Sequence, residues 1–412
     1  MRLLSHARYD RLLLGSPLRR PGFALLIVVV LVALLMIASG VFLLTVWSMR
    51  PETIRVFVSG LAASSALSIG PVAILWWLDR RERESPGLFA VAFLWGGVIA
   101  TGLALPINTA ILGAVSEWVS HNPAVTNTLG AEAALMLGAP LAGPLVEEIT
   151  KGLGVVALFF LLRAEFDNMR DGFIYGALVG AGFNWFEAPL YVAQGYAEFG
   201  TAPYGLHLGA RFALFGLAGH ALFTGIFGAF LGLARQTTRW WIRYPAPVIG
   251  LMLAIAAHAL NNLLPLLIAL VRAQAGEAPP TAPAPPPDVG LVDAWTSASL
   301  MDLVVFFPFV VLVMFLLWRG GLWERRVIRE ELAQEVGSTV TREEYAQIER
   351  DGVFRTRRID RLDRQRSAAL VKAQHELAFR KRRVRDRQGD PERDTLVTGW
   401  RDEIRQLRAT AS

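Results

Sequence analysis

Residues 143–154 read GPLVEEITKGLG. Two carboxylates and a lysine stand within five positions, inside the apolar run 137–162. A charged side chain at the centre of a bilayer costs roughly 3 kcal/mol or more, so ionisable groups within spans mark functional sites by default. In a helix Glu147 and Lys151 are i and i+4 and share a face. Glu148 is rotated by about 100° and looks toward a different neighbour.

The surrounding composition makes this a membrane problem. The chain has 412 residues, of which 53% are hydrophobic and only 18% charged. Long apolar runs fill 23–318, and charge is dense from Arg319 onward. That separation reads as an all-α, polytopic transmembrane helix bundle with a charged, helical or partly disordered cytoplasmic tail. From Arg319 to the C-terminus there are 23 Lys and Arg against 17 Asp and Glu, so the tail alone accounts for the net charge of +6. Basic segments beside a membrane face the cytoplasm or anionic lipid, and no nucleic-acid partner is expected. There is no cysteine, which excludes disulfides, thiolate ligands and a cysteine nucleophile.

A span needs about 20 mostly apolar residues. Eight segments qualify: 23–47, 56–78, 88–115, 137–162, 172–193, 209–234, 246–271 and 298–318. They divide the chain into an N-terminal segment (1–22), a seven-span core (23–272), a proline-rich extracytoplasmic loop (273–297), an eighth span (298–318) and the tail (319–412). Lys and Arg set the orientation. Arg2, Arg8, Arg11, Arg19 and Arg20 precede the first span; Arg80, Arg81 and Arg83 follow the second; Arg163 and Arg170 follow the fourth; Arg235, Arg239 and Arg243 follow the sixth. The alternate loops are nearly free of them, so both termini are expected on the cytoplasmic side of the membrane. In the tail, TREE at 341–344 is a capping-box pattern.

Polar residues inside the spans share a depth. At about 1.5 Å per residue, Glu147, Glu187, His220 and His258 all fall near the midplane or slightly outside it, on four consecutive spans. A common site inside the bundle is the simplest account. His258 and Asn262 are i and i+4 on one face. Thr224 is expected to bond its own helix, Asn184 and Asn261 to join helices, and Arg211 to snorkel to the outer interface. His6, His121, His207 and His375 lie at termini, loops or span edges and are read as non-catalytic.

Acids and imidazoles in a dry cavity suit water activation: a carboxylate takes a proton from water, and a polar group or metal polarises the attacked carbonyl. Zinc or another divalent ion accepts imidazole and carboxylate ligands; a metal-free glutamate mechanism, with His258 and Asn262 donating to the oxyanion, fits the same residues. HExxH, GxGD and GxSG are all absent, and the serines of AASSALSIG, 62–70, lack the last frame.

Four motifs in order, each on its own span, carry a resemblance. They are EEITK (147–151), Phe183 to Glu187 in GFNWFE, His220 in GHALFTGIFG, and His258 to Asn262 in HALNN. Together with DGFIYGALVGAGF at 171–183 they resemble the PrsW-type membrane peptidases, distant relatives of the CAAX- and bacteriocin-processing membrane endopeptidases. The resemblance spans about 137–267. It implies hydrolysis of a peptide bond in or near the membrane of a membrane-anchored protein, anti-sigma factors among the family's substrates. It makes Glu147 the general base, with Glu148 and Glu187 as ligand, orienter or shuttle. His220 and His258 bind metal or stabilise the oxyanion, with Asn262 beside His258, which makes Glu187, His220 and His258 the candidate metal ligands; Lys151 pairs with a glutamate and keeps it ionised. Ala188-Pro189 stand where many relatives have Asn. A proton- or cation-coupled transporter and a catalytically inactive scaffold are the alternatives.

Overall fold

The computed structural model describes residues 16–80, 85–162, 165–350 and 363–409. Arg2, Arg8, Arg11, Arg81, Arg83, Arg163 and His6 lie outside the described residues. Every named element is helical. The chain divides into two units, Met1–Leu75 with Ser85–Val313, and Trp76–Glu84 with Met314–Ser412.

The first unit is the bundle. Helix α1 (Pro21–Trp47) is apolar on all sides, and of its residues only Ala38 is buried. Leu43, Leu44 and Trp47 stand 71, 71 and 89% exposed, an arrangement that belongs in lipid. Next come α2 (Pro51–Leu78), α3 (Pro86–Ser120) and α4 (Pro123–Leu129). Then follow α5 (Ala133–Leu161), α6 (Met169–Phe199), α7 (Tyr204–Arg211), α8 (His220–Gln236), α9 (Pro245–Gln274) and α10 (Leu291–Val305). Helix α11 (Phe307–Ala333) contains the boundary between the units.

Among the described residues six helices are long and apolar enough to cross a membrane, Phe307–Ala333 included, and a seventh span arises if α4 and α5, bent by 95°, count as one. The expected span 172–193 is missing from that set. It falls in α6, which is long enough but dilutes its apolar content with glycine, Asn184 and Glu187, and is buried along most of its length. The expected eighth span, 298–318, is divided at Phe306 between α10 and α11.

Helix α6 is the axis of the bundle because glycine lets others approach it. Gly172, Gly176 and Gly180 repeat every fourth residue, one face of a helix. A Cβ on each would lie 2.0 Å from Gly228 O, 2.3 Å from Thr224 O and 2.1 Å from His220 O respectively. Backbone thus meets backbone along α8, the packing that replaces the hydrophobic effect in lipid. On another face a π-helical turn in α3, Trp95–Ala100, brings Gly96 against Val179 O. Ser64 donates to Trp185 O at 2.7 Å and Trp185 Nε1 to Ser65 Oγ at 2.8 Å, so the serines of 62–70 fasten α2 to α6.

In the second unit the described part of the tail is helical, one of the two forms expected for it, and it has a core of its own. Helices α12 (Arg342–Arg350), α13 (Arg364–Asp386) and α14 (Thr395–Ala409) enclose an apolar core that includes Leu332, Ile348, Leu370, Leu377, Val397 and Ile404. The capping box forms: Thr341 N donates to Glu344 Oε2 and Glu344 N to Thr341 Oγ1, both at 3.1 Å. The basic run RKRRVRDR is largely consumed internally. Arg380 pairs with Asp394, Lys381 with Glu335, Arg382 with Glu330 and Asp386, and Arg385 with Glu331. Burial pushes Glu335 up, but hydrogen bonds from Arg401 and Lys381 outweigh it and hold its carboxyl at about 2.

Candidate active site

The sixth expected span does not run straight. Before α8 begins at His220, Leu214, Phe215, Gly216 and Gly219 have φ of 48°, 58°, 71° and 63°. Left-handed backbone at Leu214 and Phe215 is strained, and non-helical backbone within a membrane persists only where protein satisfies its polar groups. Three side chains do so. Asn184 Nδ2 donates to Arg211 O at 2.9 Å, Trp295 Nε1 to Phe212 O at 2.9 Å, and Leu214 N donates to Ser299 Oγ at 3.0 Å. The break sets His220 at the start of a helix, within bonding distance of α5 and α6.

Around it the sequence-expected residues converge. Lys151 Nζ lies 2.5 Å from Glu148 Oε1, 3.6 Å from Glu147 Oε2 and 2.9 Å from His220 Nδ1. Its closer carboxylate is therefore Glu148, not the i+4 partner. A cation–π contact to Phe183 at 4.3 Å completes its surroundings. His220 Nε2 is 2.8 Å from Glu187 Oε2, and His258 Nδ1 is 3.0 Å from Glu148 Oε1. An ionised carboxylate only accepts, so each histidine donates its N–H to a glutamate and keeps a lone pair on the other nitrogen. That is the arrangement carboxylate partners impose on ligating histidines. The His220 and His258 rings meet edge to face at 4.9 Å, and Phe223 stacks on His258 at 5.1 Å.

Glu147 differs from its neighbours. Asn108 Nδ2 donates to its Oε1 at 3.0 Å, while Oε2 is buried with no hydrogen-bond partner. That oxygen lies 3.9 Å from His220 Nδ1 and 3.8 Å from His258 Nε2. Gly143 leaves the room: a Cβ there would sit 3.3 Å from Glu147 Oε1 and 3.1 Å from Asn262 Nδ2.

Donor atoms of Glu147, His220 and His258 lie within 4.8 Å of one another and form a group able to hold a metal ion. The unsatisfied carboxylate oxygen and two imidazole lone pairs are the hard and borderline donors that zinc accepts. His220 Nδ1 must give up Lys151 to join them. Glu187, the carboxylate expected as ligand, instead carries Arg211 and His220 Nε2.

Three residues gain parts that sequence reasoning had not given them. Arg211 turns inward to Glu187 and lies over Tyr191 at 4.3 Å rather than snorkelling outward. Thr224 Oγ1 donates to Glu148 Oε2 at 2.8 Å rather than to its own helix. Asn108, on α3, was not singled out; a lone Asn one helix away from the motifs carries no signal until the helices pack. Asn184 joins helices as expected. Asn262 Nδ2 donates to Ala139 O at 3.1 Å and Asn261 Nδ2 to Asn262 Oδ1 at 3.2 Å. A cavity of about 490 Å³ opens onto Glu147, Glu187, His220, His258 and Asn262, enough for a short stretch of extended peptide.

A family model described as PrsW family intramembrane metalloprotease matches residues 84–313. The matched region begins ahead of α3 and ends beyond α10, so it takes in more of the chain than the four motifs, including part of the expected eighth span. No curated protein and no solved structure matches the chain.

Proposed function

This chain belongs to the PrsW family of intramembrane metalloproteases, and we propose that it hydrolyses a peptide bond of a membrane-anchored protein with water activated at Glu147. It is a multi-pass membrane hydrolase. The observation that carries the mechanism is Glu147 Oε2, buried, without a hydrogen-bond donor, 3.6 Å from Lys151 Nζ and facing two imidazole nitrogens on a cavity wall.

Each surrounding residue has a task in this reading. Asn108 occupies Oε1, so the water meets Oε2, which takes its proton. Glu148 and Glu187 orient His258 and His220. Lys151 offsets the negative charge that two adjacent glutamates bring into a site of low dielectric. Asn262, one turn beyond His258, donates to the carbonyl oxygen of the scissile bond. In the alternative, metal-assisted form of the site, a divalent ion would be held by Glu147 Oε2, His220 and His258; when bound it would supply Lewis acidity to the carbonyl and acidify water, in place of the Glu147 base. The substrate is a single-span protein of the anti-sigma-factor kind that the resemblance implies. The loop arginines favour both termini in the cytoplasm, and the resemblance favours a bacterial inner membrane.

Purified wild type and Glu147→Gln are compared in liposomes with a library of single-span substrates, with and without a chelator. Wild type is expected to cleave and Glu147→Gln to lose at least about a thousandfold in rate, while remaining folded and inserted. Cleavage by Glu147→Gln at a comparable rate would remove Glu147 as the base. Loss of wild-type cleavage on chelation, restored by zinc, would assign the metal.

A further inference from the structure

The cavity contains one carboxylate that the mechanism does not use. Asp302 on α10 lines the same cavity as Glu147, His220 and His258, and it is only 8% exposed. The other charged residues of the cavity wall are matched: Glu147 by Asn108 and Lys151, and Glu187 by Arg211. Asp302 makes no side-chain hydrogen bond and no ion pair among the described residues, although its backbone oxygen accepts from Phe306 N. A buried carboxylate with no partner is costly, and its removal from water is offset only by a cation or donor brought to it.

Its position is fixed rather than incidental. Three and seven residues earlier on α10, Ser299 accepts from Leu214 N and Trp295 donates to Phe212 O. At the end of the helix Phe306 lies 5.3 Å from Phe223, which stacks on His258. The helix that braces the broken segment before His220 thus also presents Asp302 to the cavity. A group on a rigid, buried helix face is suited to discriminating between substrates.

We propose that Asp302 is a specificity-determining residue that receives a lysine or arginine side chain of the substrate within the cleft. This rests on the protease reading of the site. A cationic side chain near the cleavage point suits a single-span substrate, because Lys and Arg flank spans and their long apolar stems lie along apolar surface while the charged head seeks water or a polar partner. In the cavity the substrate cation and Asp302 would form a desolvated pair. Substrates without the cation would leave the carboxylate unmatched, and it is this unpaired polar group that gives discrimination.

The test uses the full-length chain in liposomes, made inactive by Glu147→Gln so that binding is read without turnover. Fluorescent single-span peptides carry Lys, Met or Glu at successive positions along the span and its flank. With Asp302 intact, one register is expected at which Lys tightens binding about tenfold or more over Met, and Glu weakens it. Asp302→Asn is expected to abolish that Lys/Met ratio, and Asp302→Lys to invert it in favour of Glu at the same register. A flat scan, or a ratio that survives Asp302→Asn, overturns the proposal. Cleavage of the same peptides by wild type is scored separately, so failure of the protease reading appears as absent cleavage whatever the binding ratio.

Discussion

Replacing Gly180 by alanine adds a single methyl group, placed where α6 meets α8. The new Cβ would stand 2.1 Å from His220 O, whereas carbon meets carbonyl oxygen at about 3.3 Å or more. The helices must therefore part by roughly 1.2 Å at that level. His220 moves with its own carbonyl, while Glu187 is carried on α6 itself and Glu147 on α5. The bond from His220 Nε2 to Glu187, 2.8 Å in the resting arrangement, and the approach of Nδ1 to Glu147 Oε2 would both lengthen. A misplacement of about 1 Å costs on the order of a hundredfold in rate, and overpacking a tight interface costs roughly 1–3 kcal/mol. Cleavage of a single-span substrate in liposomes should fall about a hundredfold in Gly180→Ala, with the protein still monodisperse in detergent. Gly113→Ala, where a Cβ meets nothing within 4 Å, serves as control and should cleave normally. A Gly180→Ala enzyme within about threefold of wild type would refute the reasoning, because the site would then tolerate a separation that the geometry forbids.

Two further outcomes are expected. Asn108→Leu leaves Glu147 Oε1 without its donor and should lower zinc affinity, or cleavage at fixed zinc, by about 10–100-fold, the range for partners of metal ligands; unchanged zinc titration and rate would show that Asn108 does not position Glu147. In the C-terminal unit Glu335 is held at about 2 against an ordinary 4.5, a depressed carboxyl whose contribution is fully present above about 4.5 and is lost as pH falls toward 2. Amide hydrogen exchange of the full-length protein should lose protection in α13 and α14 over that window, and Glu335→Gln should flatten the dependence; equal pH sensitivity in both proteins would shift the cause to other groups.

Much of the bundle was legible because a bilayer filters composition so strongly. Apolar length marks spans, and a carboxylate inside one is too costly to be accidental, so Glu147, Glu148, Glu187, His220 and His258 stood out before any helix was packed. The expected shared depth is met by the 2.8–3.9 Å separations around Glu147 and His220. Less legible was anything that depends on direction. Arg211 near a span edge reads as a snorkelling residue, but the break at 212–219 turns it toward Glu187. The basic run 380–387 reads as a solvated surface, yet its partners Glu330, Glu331 and Glu335 lie about fifty residues earlier.

The sequence by itself determined that this is a helical membrane protein with acids, imidazoles and a lysine at one level, because hydrophobic length and the cost of buried charge are properties of each segment alone. Only the tertiary structure decided which oxygen of which glutamate is left without a hydrogen-bond donor. Asn108, Lys151, Thr224 and Arg211 come from four different helices or their ends, and each satisfies a carboxylate oxygen within about 3 Å. Hydrogen bonds act at contact, so a rotation or shift too small to alter any segment's hydropathy chooses Glu147 Oε2, and leaves Asp302 unmatched on the same cavity wall.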